Sequence, residues 1–182
     1  TLIDLAKESL VKRFERLVEK DRITNEESSA CQDRLTTTIV LEDLSDCDLV
    51  IEAIVEDFDI KTKVLKQVGE YAPNAIIATN TSSLSVSELG GACGFSDRVV
   101  GMHFFNPAPI MPLVEIIRGE KTSDKAVQRA TLLAEAWGKT VVQVADTPGF
   151  IVNRVARPYY LESWRIIEDG VATVDVVDNA MQ

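Results

Sequence analysis

The sequence predicts an α/β domain built on a largely parallel sheet with both faces covered. Short apolar runs alternate with segments of helical period along most of the chain. The runs are near-continuously apolar instead of alternating, as strands buried on both faces are. Polar residues also gather where these runs end, which is where open parallel sheets bind ligands.

The elements follow in order. Residues 3–20 read as an amphipathic helix, with Leu5, Leu10, Phe14 and Leu17 near helical spacing among Lys, Arg and Glu. Thr24 with Glu27 three residues on is a capping box opening a second short helix that ends near Arg34. Residues 37–41 form a short β-branched run, and 48–55 a mostly apolar strand. Residues 58–71 have helical period, stopped by Pro73-Asn74. A buried strand over 75–79, a brief helix over 85–89 and strands over 98–104 and 113–118 come next. A helix over 123–137 is expected to turn Val127, Leu132, Leu133 and Trp137 inward, and 140–145 is the last strand. Pro148-Gly149 makes a turn, with Pro suited to its first central position and Gly to its second. Helices over 150–168 and 173–181 follow, the first kinked by Pro158. The expected organisation is an α/β domain over 1–145 and the start of an all-α domain over 146–182.

Composition narrows the function. The 182 residues are 46% hydrophobic and 26% charged, which is the balance of a globular chain. No apolar stretch is long enough for a transmembrane helix. A net charge of −10 and a pI near 4.6 exclude a general nucleic-acid or anionic-membrane binder. Cys31, Cys47 and Cys93 are odd in number and lack CxxC spacing, so neither a disulfide framework nor a structural zinc site is expected. A reducing compartment follows, the bacterial cytoplasm or otherwise the mitochondrial matrix. One histidine and scattered cysteines supply no metal site. The sequence opens on Thr1 with no signal-peptide pattern, which reads as a piece of something longer.

Three strand ends carry polar groups on what would be one sheet edge: Glu56, the run Asn80-Thr-Ser-Ser83, and His103 with Asn106. Strands end in polar loops anyway, so each alone says little. A lone histidine is ordinarily structural, yet His103 stands among Met102, Phe104 and Phe105, ahead of the rigid Asn106-Pro-Ala-Pro109. Glu115 sits within the apolar run 113–117, where a carboxylate is costly unless paired. Either it faces solvent from an edge strand, or it pairs with His103 across neighbouring strands and fixes the tautomer of a base. Ser82 or Ser83 as a hydrolase nucleophile lacks a GxSxG elbow. The glycines at 90, 91 and 94 do not match GxGxxG and read as a loop. Asp57 and Asp59 read as a solvated helix start, suited to the positive end of a helix dipole.

Ala53-Ile-Val-Glu56, Asn80-Thr-Ser-Ser-Leu84, Gly101-Met-His-Phe-Phe-Asn-Pro-Ala-Pro109, Leu113-Val-Glu-Ile-Ile117 and Asp146-Thr-Pro-Gly-Phe-Ile-Val-Asn-Arg154 stand in a specific order and spacing. In that order the chain resembles the L-3-hydroxyacyl-CoA dehydrogenases, the 3-hydroxybutyryl-CoA dehydrogenases among them, over essentially its whole length. The resemblance implies a Rossmann-type fold and reversible NAD-dependent oxidation of an L-3-hydroxyacyl-CoA to the 3-ketoacyl-CoA. It implies His103 as general base and Glu115 as the residue that orients it. Ser82 and Asn153 would hydrogen-bond the reacting oxygen or the thioester carbonyl. Glu56, Lys61, Asn80 and Asn106 would hold the ribose and nicotinamide end of NAD, and Ser9 and Arg16 would touch coenzyme A. A homodimer is implied too, with no nucleic-acid or membrane partner.

The family opens with a strand, a GxGxxG turn and a helix, then a strand ending in an acid for the adenosine ribose. Here every glycine lies at 69 or later. The expectation is therefore a domain truncated at its N-terminus, without the strand end that separates NAD from NADP. Two other readings stay open: a sugar-acid dehydrogenase of the same superfamily, and a noncatalytic fragment that keeps the fold.

Overall fold

The computed structural model describes residues 2–181. The chain divides into two compact units, residues 1–43 and 44–182. The first is a pair of helices, α1 (Leu2–Glu19) and α2 (Asn25–Asp33). Thr24 caps α2 by the expected box: its hydroxyl takes the Glu27 amide at 3.1 Å, and the Glu27 carboxylate takes the Thr24 amide at 2.8 Å. No described residue of α1 is buried; Leu5 is 62% exposed. The β-branched run over 37–41 forms no strand, and a 3₁₀ turn, Leu41–Leu44, follows it.

The second unit is a five-stranded sheet in the order β1 (Leu49–Glu52), β2 (Ile76–Thr79), β3 (Val99–Phe104), β4 (Leu113–Arg118), β5 (Thr140–Ala145). All pairs are parallel except β3–β4. Helices α3 (Phe58–Tyr71) and α4 (Val86–Cys93) lie between β1 and β3 in the chain, and α5 (Asp124–Ala136) lies between β4 and β5. Alternate residues of each central strand feed different cores. Ile76, Ala78, Val100, Met102, Val114 and Ile116 pack with α5. Ile77, Val99 and Ile117 pack with α3 and α4. Burial on both faces is why β2 has no exposed position and reads as an unbroken apolar run. Each fully buried Leu or Ile contributes about 1.5–3 kcal/mol.

Three local expectations are corrected. Strand β1 ends at Glu52, not near Val55, because the Glu52 carboxylate draws the Ile54 amide to 2.7 Å and bends the chain away. The glycine cluster is not a loop. Gly90 and Gly91 lie inside α4, where a side chain on Gly90 would press on the Ser96 backbone at 3.2 Å, and Gly94 ends the helix at φ 86°. The inward face of α5 is Ala126, Val127, Ala130 and Ala134, while Leu132 and Trp137 are 57% and 48% exposed. Alanines four apart let the helix approach the sheet closely.

Beyond β5 come α6 (Val152–Glu168), which runs through Pro158, and α7 (Val174–Ala180). Thr147 to Phe150 is the expected turn, closed by the Phe150 amide on the Thr147 carbonyl at 3.0 Å with Gly149 at φ 76°.

Candidate active site

Strands β1, β2 and β3 are parallel neighbours, so their carboxyl ends share one edge. The antiparallel pairing of β3 with β4 sets His103 directly opposite Glu115. His103 Nδ1 lies at hydrogen-bond distance from Glu115 Oε2, 2.7 Å, and the two side chains are 5% and 0% exposed. Glu115 is therefore not a solvent-facing residue of an edge strand. Its other oxygen, Oε1, accepts from the Ile151 and Val152 amides at 2.9 and 3.0 Å. Those are the first free N–H groups of α6, and the positive end of a helix dipole suits a carboxylate.

The turn before α6 makes this docking possible. Gly149 is left-handed, and Phe150 follows it at φ 50°. A non-glycine residue there costs on the order of 1–3 kcal/mol. The strain is offset because the turn delivers three contacts at once. Phe150 is buried, and its ring meets the imidazole edge-on at 5.5 Å, while the next two amides reach Glu115. Phe105 covers the imidazole from elsewhere at 4.7 Å. Asn153 follows Val152 in the first turn of the same helix and is half-buried.

The second cluster lies where β1 and β2 end. Glu56 Oε1 accepts from Thr81 Oγ1 at 2.5 Å, the Ser82 amide at 2.8 Å, the Ser83 amide at 3.1 Å and Ser83 Oγ at 3.0 Å. Burial pushes this carboxyl up, but those donors and the Lys61 ammonium outweigh it and hold it down at about 2. Lys61 is 1% exposed; its Nζ lies 2.6 Å from Glu52 Oε1 and 3.3 Å from Glu56 Oε2. Asn80 Oδ1 accepts the Phe104 amide at 2.9 Å, lacing the end of β2 to the end of β3. Ser82 and Asn106 are exposed beside these groups in the chain. Ser9 and Arg16 are exposed on α1, in the first unit.

Two contributors had not been singled out from the sequence. Glu52 was hidden inside the strand read over 48–55, although a lysine nine positions on, inside a helix, was a signal for a partner. Thr81 anchors the Glu56 carboxylate and accepts the Leu84 amide at 2.9 Å. Away from the site, past the end of β5, Asp146 takes Ser85 Oγ at 2.7 Å and the Ser87 amide at 2.8 Å. Burial opposes its ionisation, but these donors outweigh it and keep its carboxyl below the usual range. A cleft of about 670 Å³ near Asp146 and Arg118 lies at the opposite sheet edge, where β4 and β5 end, and takes no part in the site.

The arrangement joins a buried imidazole hydrogen-bonded to a buried carboxylate with a polar strand-end turn. Comparison with known proteins points the same way. The NAD-binding domain model of 3-hydroxyacyl-CoA dehydrogenase matches residues 2–147, and the C-terminal domain model of the same enzyme matches 149–182. The 3-hydroxyadipyl-CoA dehydrogenase of Escherichia coli is 39% identical over all of this chain and 40% of its own length. The 3-hydroxybutyryl-CoA dehydrogenase of Mycobacterium tuberculosis is 40% identical over 99% of this chain and 64% of its own. The crystal structure of (S)-3-hydroxybutyryl-CoA dehydrogenase from Ralstonia eutropha superposes with a TM-score of 0.91 at 36% identity, over 95% of this chain and 62% of that one. The chain thus spans less than two thirds of the relatives it matches. Its fold is of the Rossmann type, and the chain belongs to the 3-hydroxyacyl-CoA dehydrogenase family.

Proposed function

We propose that this chain carries the catalytic pair of an NAD-dependent dehydrogenase that reversibly oxidises L-3-hydroxyacyl-CoA to 3-ketoacyl-CoA. The observation that carries the reading is the buried hydrogen bond from His103 Nδ1 to Glu115. With Nδ1–H so engaged, the neutral ring offers Nε2 as a proton acceptor. Nε2 takes the proton of the substrate 3-hydroxyl as its carbonyl forms. Glu115 then faces an imidazolium and stabilises it by charge in a site of low dielectric. NAD, when bound, would supply the acceptor for the hydride of carbon 3, while the proton of the alcohol goes to His103.

The donor set fits the nicotinamide end of that cofactor. Glu56 keeps its Oε2 toward Lys61, the Ser82 hydroxyl is exposed, and Asn106 supplies an exposed amide. Asn80 and Lys61 hold this end indirectly, through the Phe104 amide and through Glu56. No GxGxxG turn occurs in the sequence, so this stretch does not grip the pyrophosphate. Ser82 and Asn153 orient the reacting oxygen or the thioester carbonyl, and Ser9 and Arg16 meet coenzyme A. Phe105 and Phe150 keep water from the imidazole.

The proposed organisation is a dinucleotide-binding domain over 1–145, the opening of a helical domain over 146–182, a homodimer, and residence in the bacterial cytoplasm. Among the described residues no helix is long and apolar enough to cross a membrane. The test is an assay of the full-length enzyme with acetoacetyl-CoA and NADH beside a sugar acid and NAD. Oxidation of NADH by acetoacetyl-CoA supports the reading. Turnover of the sugar acid alone, or of neither, overturns it.

A further inference from the structure

We infer that Glu52 is a positioning residue for the turn that carries Ser82, acting from beneath it through Lys61 and Thr79. The inference rests on the reading of Ser82 as a substrate-orienting group. Glu52 is 4% exposed, and both of its carboxylate oxygens are committed. Oε1 takes Lys61 Nζ at 2.6 Å and the Ile54 amide at 2.7 Å, and Oε2 takes Thr79 Oγ1 at 2.7 Å.

Two lines run from this carboxylate to the same four-residue turn. Along the first, Lys61 passes from Glu52 to Glu56, whose Oε1 gathers Thr81 Oγ1, both serine amides and Ser83 Oγ. Along the second, Thr79 Oγ1 donates to Glu52 and accepts the Thr81 amide at 3.3 Å. The Glu52 backbone carbonyl adds a third tie, taking the Asn80 amide at 2.8 Å.

Charge explains why the arrangement needs Glu52. Lys61 is withdrawn from water, and one buried ammonium faces two carboxylates. Without Glu52, Lys61 would draw wholly toward Glu56 and pull that hub off the serine amides. A buried ion pair is a poor source of stability, since apolar residues of equal volume do as well. What apolar residues cannot supply is directed hydrogen bonding to the hub of the Ser82 turn.

The test compares Glu52→Gln, Ser82→Ala and the double variant in the full-length enzyme, reading kcat and KM with acetoacetyl-CoA and NADH. Amide hydrogen exchange at Ser82 and Ser83 is read in parallel. Glu52→Gln keeps the side-chain volume and removes the charge. The expected loss is on the order of 10–100-fold in kcat, the scale of a misplaced orienting group, with faster exchange at both amides. In the Ser82→Ala background the same change should cost no more than about 2-fold, since neighbours that act as a unit are not additive. Unchanged exchange at Ser82 and Ser83 overturns the inference, as does full additivity where Ser82→Ala itself lowers kcat. If Ser82→Ala alone leaves kcat intact while Glu52→Gln still speeds exchange, the reading of Ser82 fails and the positioning stands. Should Glu52→Gln not fold, Thr79→Val cuts the second line and is read the same way. Thr79→Ser, which keeps the hydroxyl, restores slow exchange if the inference holds; unchanged exchange in Thr79→Val overturns it.

Discussion

Glu115 and Glu52 are both buried carboxylates on apolar strands, one inside β4 and one at the end of β1, and the molecule holds them in opposite ways. Glu52 faces an ammonium, a hydroxyl and one amide, so its partner carries a fixed charge. Glu115 faces two helix-terminal amides and one imidazole, so a single partner among three can change its charge. The first arrangement is an anchor. On the proposed function the second is a device for moving a proton, because backbone amides keep the carboxylate in place whatever the charge on the ring. Of the two, the carboxylate beside the imidazole also has aromatic rings, one tilted and one edge-on, against its partner and a strained turn beside it.

Variants in the full-length enzyme sharpen that contrast. The largest effect belongs to His103→Gln, which removes the base. Turnover should fall by about 10²–10⁴-fold, with the protein still folded by circular dichroism. Near wild-type turnover in steady-state assays would remove His103 from the mechanism.

Glu115→Gln comes next. Glu115 accepts three N–H groups on two oxygens, whereas the amide has one accepting oxygen. Whichever way it turns, its own N–H₂ meets a donor. A loss of about 2 kcal/mol is expected, which is roughly 30-fold if it falls wholly on kcat. Activity unchanged across neutral pH would show that Glu115 is not coupled to the imidazole.

The smallest effect is on stability. Folding lowers the Glu56 carboxyl from its ordinary 4.5 to about 2. A depressed carboxyl lends stability that is fully present above its unfolded value and is lost as pH falls toward its folded one. The stability gap between wild type and Glu56→Gln should therefore be widest above pH 4.5 and close as pH falls toward 2. Urea unfolding of both proteins over that range measures it. A gap independent of pH would mean that Glu56 is not ionised through the turn.

Much of this was legible in the sequence. Strands β4 and β5 have the boundaries that their apolar runs predict, because each run is fenced by Pro, Gly or charge. His103 and Glu115 stood out as a lone histidine and a carboxylate inside an apolar run, and the register joins them. Other features depend on tertiary context. Leu132 and Trp137 have the right hydrophobicity to face inward, but the sheet admits small residues on α5, so Ala126, Ala130 and Ala134 take the inner face. Phe150 at positive φ leaves no trace in composition; it follows from docking α6 onto Glu115. Glu52 read as one residue inside the strand over 48–55, because its partners lie 9 and 27 residues away in sequence.

The central claim is that Glu115 holds His103 in the tautomer whose Nε2 is free to take a proton. Nitrogen-15 NMR of histidine-labelled full-length protein reads this directly, with the resonance assigned by its absence in His103→Gln. The account predicts a neutral ring protonated at Nδ1 and bare at Nε2, a preference lost in Glu115→Gln. A neutral ring protonated at Nε2 would contradict it.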